Sequence, residues 1–181
     1  MRGSPMPPHA TVEIIEAQSD QHMAQAASLI RDFVSWCHRR YRERPWLVDS
    51  YLQIGDFEEE LSSLAQAYPP PGALLLALVD GRPAGCIALR TLTDGICEMK
   101  RLFVRPEHQG LGVGRRLTEA LIDLARRRGL TTMRLDTGDL QTEAQGLYRS
   151  LGFAPIRPYY ECPDRLRRHL VFMELALRRL D

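Results

Sequence analysis

Three glycines, Gly110, Gly112 and Gly114, fall at every second position of VRPEHQGLGVGRRL (Val104–Leu117), between an alternating apolar run and a basic amphipathic stretch. Glycines in backbone conformations closed to other residues let consecutive N–H groups converge on one point. A helix that starts there adds unpaired N–H groups and the positive end of its dipole. Together they form a cradle for phosphate oxygens that needs no lysine. On spacing alone, a connector that merely turns the chain is an equal alternative. Two other phosphate loops are excluded. No Gly-Lys-Ser/Thr follows Gly114, and the loop lacks the closing glycine and the distant acid of a dinucleotide fingerprint.

Two further side chains stand out. Glu98 lies inside the apolar run ICEMKRLFV (Ile96–Val104), where a carboxylate is costly to desolvate and needs a reason. It can serve as a base, pair with Lys100 or Arg134, or face solvent from a strand edge. Tyr148 lies at the edge of a helical stripe already filled by Leu147 and Leu151, so its hydroxyl is available for chemistry as well as packing. His9, His22, His38, His108 and His169 show no ligand spacing, and the four cysteines form no CxxC pair, so no metal is expected.

The surrounding elements must position these groups. Thr11–Glu16 alternates as a first strand. Met23, Ala26, Ala27, Ile30, Phe33, Val34 and Cys37 recur at helical spacing behind Ser19 or Asp20 as N-cap. His38–Trp46 reads as the end of that helix and a loop broken by Pro45, and one second helix is predicted over Asp56–Ala67. Ala73–Val79, Asp80-Gly81 and Ala84–Arg90 form a hairpin, and Asp94-Gly95 leads into a third antiparallel strand, Ile96–Val104. Val113–Leu124 is a helix closed by RRRG. Thr131–Thr137 is a strand, Ala144–Leu151 a helix ended by Gly152, and Leu170–Leu177 a last strand. The order is α+β: an antiparallel meander joined to a β-α-β-α-β half.

With 181 residues the chain is read as one domain, and its net charge of +1 gives no global drive toward nucleic acid or anionic membrane. No apolar run reaches membrane-spanning length, and the scattered thiols suit a reducing compartment, so a cytoplasmic address is expected. The Pro-rich opening, residues 1–10, reads as a disordered arm.

Gln109-Gly110-Leu111-Gly112-Val113-Gly114 resembles the Q/R-x-x-G-x-G/A loop of the GNAT family of acetyl-CoA-dependent N-acetyltransferases. Downstream, LYRSLGF (Leu147–Phe153) is similar to that family's L-Y-x-x-x-G-F segment. The resemblance covers Val12 to Leu177 and makes 11–178 an N-acetyltransferase domain with a mixed sheet whose fourth and fifth strands splay apart. It implies that Gly110, Leu111, Gly112, Val113, Gly114 and Arg115, with Gln109, hold the diphosphate of acetyl-CoA. It also implies that Leu102, Phe103 and Val104 pair with pantetheine, and that the Val104 N–H polarises the acetyl carbonyl. One such donor is worth ~3 kcal/mol in the transition state. Glu98 stands where the histone-acetylating branch has its general base, and Tyr148 where the family has a tyrosine facing the cofactor sulfur. Gln141 replaces an asparagine common at the pantetheine contact.

The expected reaction is direct transfer of acetyl to a primary amine, with a non-catalytic, coenzyme A-sensing domain as the alternative. The acceptor is read as a small-molecule amine or a peptide, chosen by the first two helices and by Arg39–Trp46 and Arg157–Arg168, which mix arginines with aromatics. Balanced charge argues against polycationic tails. A homodimer is the assembly left open.

Overall fold

The computed structural model describes residues 11–54 and 56–177, so the arm expected over 1–10 lies outside the described residues. Seven strands form one sheet: β1 (Val12–Glu16), β2 (Ala73–Val79), β3 (Arg82–Thr93), β4 (Ile96–Val104), β5 (Thr132–Gly138), β6 (Ala154–Pro155) and β7 (Leu170–Ala176). Their order is β1-β2-β3-β4-β5-β7-β6, with β1 to β4 antiparallel, β4 and β5 parallel, and β7 antiparallel to both its neighbours. The mixed α+β sheet is as expected.

Both faces of the sheet are covered, which is why β2 reads as an unbroken apolar run, ALLLALV, with no polar alternation. Helix α5 (Val113–Arg127) packs across β2, β3 and β4 on one face, burying Val113, Leu117, Leu121 and Ala125 against Leu75, Ile87, Leu89 and Met99. Helix α1 (Asp20–Arg40) crosses the other face, burying Ala26, Leu29 and Ile30 with Leu74, Leu76, Cys86 and Phe103. Truncating such a core leucine to alanine costs about 2–5 kcal/mol. Ser19 caps α1 by accepting from the His22 N–H at 3.1 Å, and His38, Arg39 and Arg40 oppose the dipole at its other end.

Two segments differ from the sequence reading. Pro45 does not end structure but opens a helix, α2 (Pro45–Ile54), because at a first helical position its missing N–H needs no partner. The single helix predicted over Asp56–Ala67 is two short ones, α3 (Phe57–Ser62) and α4 (Leu64–Ala67), broken at Ser63, whose φ of −151° is not helical. After β5 come α6 (Thr142–Ser150) and a short α7 (Asp164–Arg167).

Candidate active site

Helix α5 begins without a side-chain cap. Its first main-chain bond runs from the Arg116 N–H to the Gly112 carbonyl at 3.0 Å, which leaves the N–H groups of Val113, Gly114 and Arg115 without intrahelical acceptors. Gly110 and Gly112 hold φ of 78° and 77°, so two of the three glycines adopt the left-handed backbone. Gly114 does not. It lies in the first turn of α5, where a Cβ would meet Val104 and Leu147 at ordinary van der Waals distance. Gln109 ties the loop to the strand, its side-chain amide donating to the Val104 carbonyl at 2.9 Å.

Strands β4 and β5 pair only over Ile96–Glu98 and Thr132–Arg134. Beyond that point they part, and a cavity of about 750 Å³ fills the gap. It is walled by Leu102, Phe103 and Val104 of β4 and by Asp136, Thr137 and Gly138 of β5. A bulge on β4 shifts its register against β3, with Arg101 at φ 59°; the sequence carries no glycine there to announce it. Gln109, Gly110, Gly112, Val113, Gly114 and Arg115 line one end of the cavity, whereas Leu111 packs against the core instead.

On the α5 and α6 side, Tyr148 lines the cavity. It is buried rather than at the stripe's edge, its ring 5.8 Å from that of Phe153, while Leu147 is the half-exposed member. Burial first, then the negative field of Asp136, raise its phenol above the ordinary range, so the hydroxyl stays protonated. Gln141 also lines the cavity, but its side-chain oxygen accepts from the Thr137 hydroxyl at 2.6 Å and the Gly138 N–H at 3.2 Å. Arg115 is engaged by Ser150 at 2.6 Å, joining α5 to α6.

The opposite, α1 and α2 side carries the charged groups. Glu98 is 1% exposed and does not line the cavity. Tyr159 donates to its Oε1 at 2.7 Å, and the Arg90 guanidinium pairs with Oε2 at 2.7 Å. Lys100 and Asp136 do line the cavity, together with Tyr51 of α2. Burial raises the Asp136 carboxyl above the ordinary range, outweighing Lys100, Tyr51 and Tyr160, which favour the carboxylate. Burial lowers the Lys100 ammonium against the pull of Asp136 and Glu98. Sequence reasoning passed over Asp136, because its strand, TMRLDTG, alternates polar and apolar residues and so gives an acid on the polar register no sign of burial.

Of the two stretches expected to select an acceptor, only Arg40 and Tyr41 reach the cavity. Two of the other arginines brace the scaffold: Arg44 binds Asp139 at 2.9 Å, and Arg165 of α7 stacks on Trp46 of α2 with its guanidinium 3.7 Å from the ring centre. The acceptor-side walls are apolar residues of α1 and α2 instead, among them Phe33, Trp36, Val48 and Leu52.

An uncapped helix start beside a gap between two parallel strands is joined by a matching family model, the acetyltransferase (GNAT) family, over residues 30–153. The chain belongs to the GNAT family. As a GNAT acetyltransferase it is an acetyl-CoA-dependent N-acetyltransferase. It is 36% identical over 141 residues, 72% of this chain and 85% of the relative, to an uncharacterised N-acetyltransferase of Schizosaccharomyces pombe. It is 38% identical over 136 residues, 73% of this chain and 84% of the relative, to the IAA acetyltransferase of Azospirillum brasilense. Among solved structures, the acetyltransferase yncA of Salmonella typhimurium with its cofactor acetyl-CoA superposes with a TM-score of 0.61 at 23% identity, covering 92% of this chain and 94% of that one. The GNAT fold here has no helix among the described residues long and apolar enough to cross a membrane, and no described cluster of three or more metal-ligating side chains.

Proposed function

We propose that this GNAT enzyme acetylates a small primary amine that enters between α1 and α2, on the opposite face of the sheet from Tyr148. The observation that carries this reading is the cavity itself, which runs through the β4–β5 gap from the unpaired amides of α5 to Asp136.

Acetyl-CoA supplies the acetyl thioester. The N–H groups of Val113, Gly114 and Arg115, with the helix dipole behind them, suit its diphosphate. The free edges of β4 beyond Glu98 suit the amides of its pantetheine arm, with the Val104 N–H toward the acetyl oxygen.

An alkyl ammonium has a pKa of ~10.4 and must lose a proton before it attacks. We assign that proton to the Asp136 carboxylate, which lines the cavity, and give Glu98, behind it, the task of holding Arg90 and Tyr159. The amine nitrogen then bonds to the acetyl carbon as the carbon–sulfur bond breaks. The nitrogen's second proton ends on the departing thiolate to give the free thiol, and the Tyr148 hydroxyl donates a hydrogen bond to the sulfur as the bond breaks. Full transfer from Tyr148 would be uphill, because its phenol is less acidic than a thiol. Cys37 is the one cysteine on the cavity wall among the described residues, and burial pushes its thiol up to about 12. A protonated thiol is a poor nucleophile, which favours direct transfer over an acetyl-cysteine intermediate. The free, buried thiols of Cys37, Cys86 and Cys97 fit a reducing cytoplasm.

Calorimetry with coenzyme A, followed by thiol release from acetyl-CoA across a panel of amines, tests the reading. Binding with turnover of at least one primary amine supports it. Binding without turnover of any amine returns the coenzyme A-sensing alternative, and no binding removes both.

A further inference from the structure

Lys100 is the single lysine of the chain; every other cationic side chain of the Lys/Arg class is an arginine. It sits on the cavity wall with its side chain 10% exposed. Its ammonium lies 3.3 Å from the Tyr51 hydroxyl and 5.4 Å from that ring's centre, but 3.9 Å from the nearest carboxylate oxygen, Oε2 of Glu98. Glu98 is already committed to Arg90 and Tyr159. Asp136 lines the same cavity and has no cationic partner within 4.0 Å among the described residues. The β4–β5 register pairs Glu98 with Arg134, and continuing it by two residues brings Lys100 level with Asp136. A cation of β4 and an anion of β5 thus face the same cavity, too far apart to close on each other.

Burying charge without a close counter-charge is costly. A ligand that brings a carboxylate to Lys100 and an ammonium to Asp136 removes both deficits at once. A simple amine answers only Asp136, and a diamine is repelled by Lys100. The same cavity is lined by Phe33, Trp36, Val48 and Leu52 of α1 and α2, which suit an apolar substituent.

Resting on the acetyl-transfer reading above, we propose that the acceptor is a free α-amino acid with an apolar side chain, its carboxylate held by Lys100 and its amino group by Asp136. The zwitterion is thereby oriented with its nitrogen beside the β4–β5 gap. Unlike a peptide N-terminus, it presents a charged carboxylate one carbon from the nucleophile.

The test is steady-state thiol release with leucine and phenylalanine, their decarboxylated amines, leucinamide and a leucyl dipeptide. A site built around a carboxylate should prefer leucine over its decarboxylated amine by roughly a hundredfold in kcat/KM. In Lys100→Met that ratio should fall toward one, and in Lys100→Arg it should be partly kept. Thermal melting and coenzyme A calorimetry on each variant establish folding and cofactor binding; should Lys100→Met fail to fold, the wild-type panel alone decides. Equal or better turnover of the decarboxylated amine, leucinamide or dipeptide by the wild type overturns the proposal. So does an unchanged ratio in Lys100→Met, or intact coenzyme A binding with no turnover of either amino acid. Loss of coenzyme A binding in the wild type instead strikes the acetyl-transfer reading beneath it.

Discussion

The Arg101 guanidinium grips the Glu60 carboxylate with two hydrogen bonds, 2.9 Å from Nε and 2.6 Å from Nη2, and both side chains are at least nine-tenths hidden from solvent. Tyr68 adds a bond to the same carboxylate at 2.6 Å. Arg101 is the bulge residue of β4, so this pair fastens α3 to the point where the strand begins to part from β5. Glu60→Gln leaves a buried guanidinium without its anion, and a loss of about 3–5 kcal/mol in urea unfolding is expected. Burial alone would raise the Glu60 carboxyl, but Arg101, Tyr68 and Lys100 outweigh it and hold the carboxyl below the ordinary glutamate range. The contribution is therefore complete above the unfolded value of ~4.3 and is lost as pH falls through the lower folded value. Stability measured against pH should fall more steeply toward acid in the wild type than in Glu60→Gln. Parallel curves would make the pair energetically idle.

Tyr148→Phe removes a hydroxyl that makes no hydrogen bond to another described residue, so the fold should tolerate it. If that hydroxyl steadies the departing thiolate, kcat should drop roughly 10²-fold or more while coenzyme A affinity stays within about threefold. An unchanged kcat would leave Tyr148 as a packing residue beside Phe153.

Much of this site was open to reading because its chemistry is carried by backbone. The glycine spacing of Gln109–Gly114 and the apolar stripe of α5 mark a strand-to-helix junction, and they lie close in sequence. Glu98 and Asp136 show the opposite case. Both are acids within strands, and which of them reaches the cavity depends on where β4 and β5 stop pairing and where β4 bulges. Those are long-range facts with no local code. The same holds for α2: Pro45 is compatible with ending a helix or starting one, and only the packing of Leu47 and Val48 into the structure decides.

Cys37→Ala tests direct transfer. Its protonated thiol and a weak contact with Gln141, Sγ 3.6 Å from the side-chain nitrogen, give it no part in the proposed chemistry. Turnover within about twofold of wild type is expected, with no acetyl group retained on the protein after rapid quenching. An acetylated Cys37 in the wild type would replace direct attack with a two-step route.

Gly112→Ala places a side chain in open space, since nothing lies within 4 Å of its Cβ position. What it strains is the backbone, because φ of 77° costs an L-residue ~1–2 kcal/mol. Relief of that strain would turn the loop amides away from the diphosphate. Affinity for coenzyme A should fall about tenfold while affinity for pantetheine, which lacks the diphosphate, holds. Equal losses for both ligands would assign Gly112 to the fold rather than to the phosphate cradle.

Asp136 decides the proton's path. A base must be ionised to act, and this carboxyl is raised by burial, so the acidic limb of kcat/KM should lie above the ordinary aspartate value of ~3.9, with activity lost as pH falls through it. Asp136 is faced by Lys100 and Glu98 from β4, Tyr51 from α2, and Tyr160 from the segment before α7, with Tyr148 across the gap. The signs of neighbouring variants follow. Glu98→Gln removes a negative charge that raises Asp136, so the limb should persist and move to lower pH. Lys100→Met removes a positive charge that lowers it, so the limb should move to higher pH. Asp136→Asn should abolish the limb and reduce kcat by about 10²–10⁴-fold. A limb that survives in Asp136→Asn and vanishes in Glu98→Gln would hand the role of base to Glu98, acting through water or through Tyr159 from behind the cavity wall.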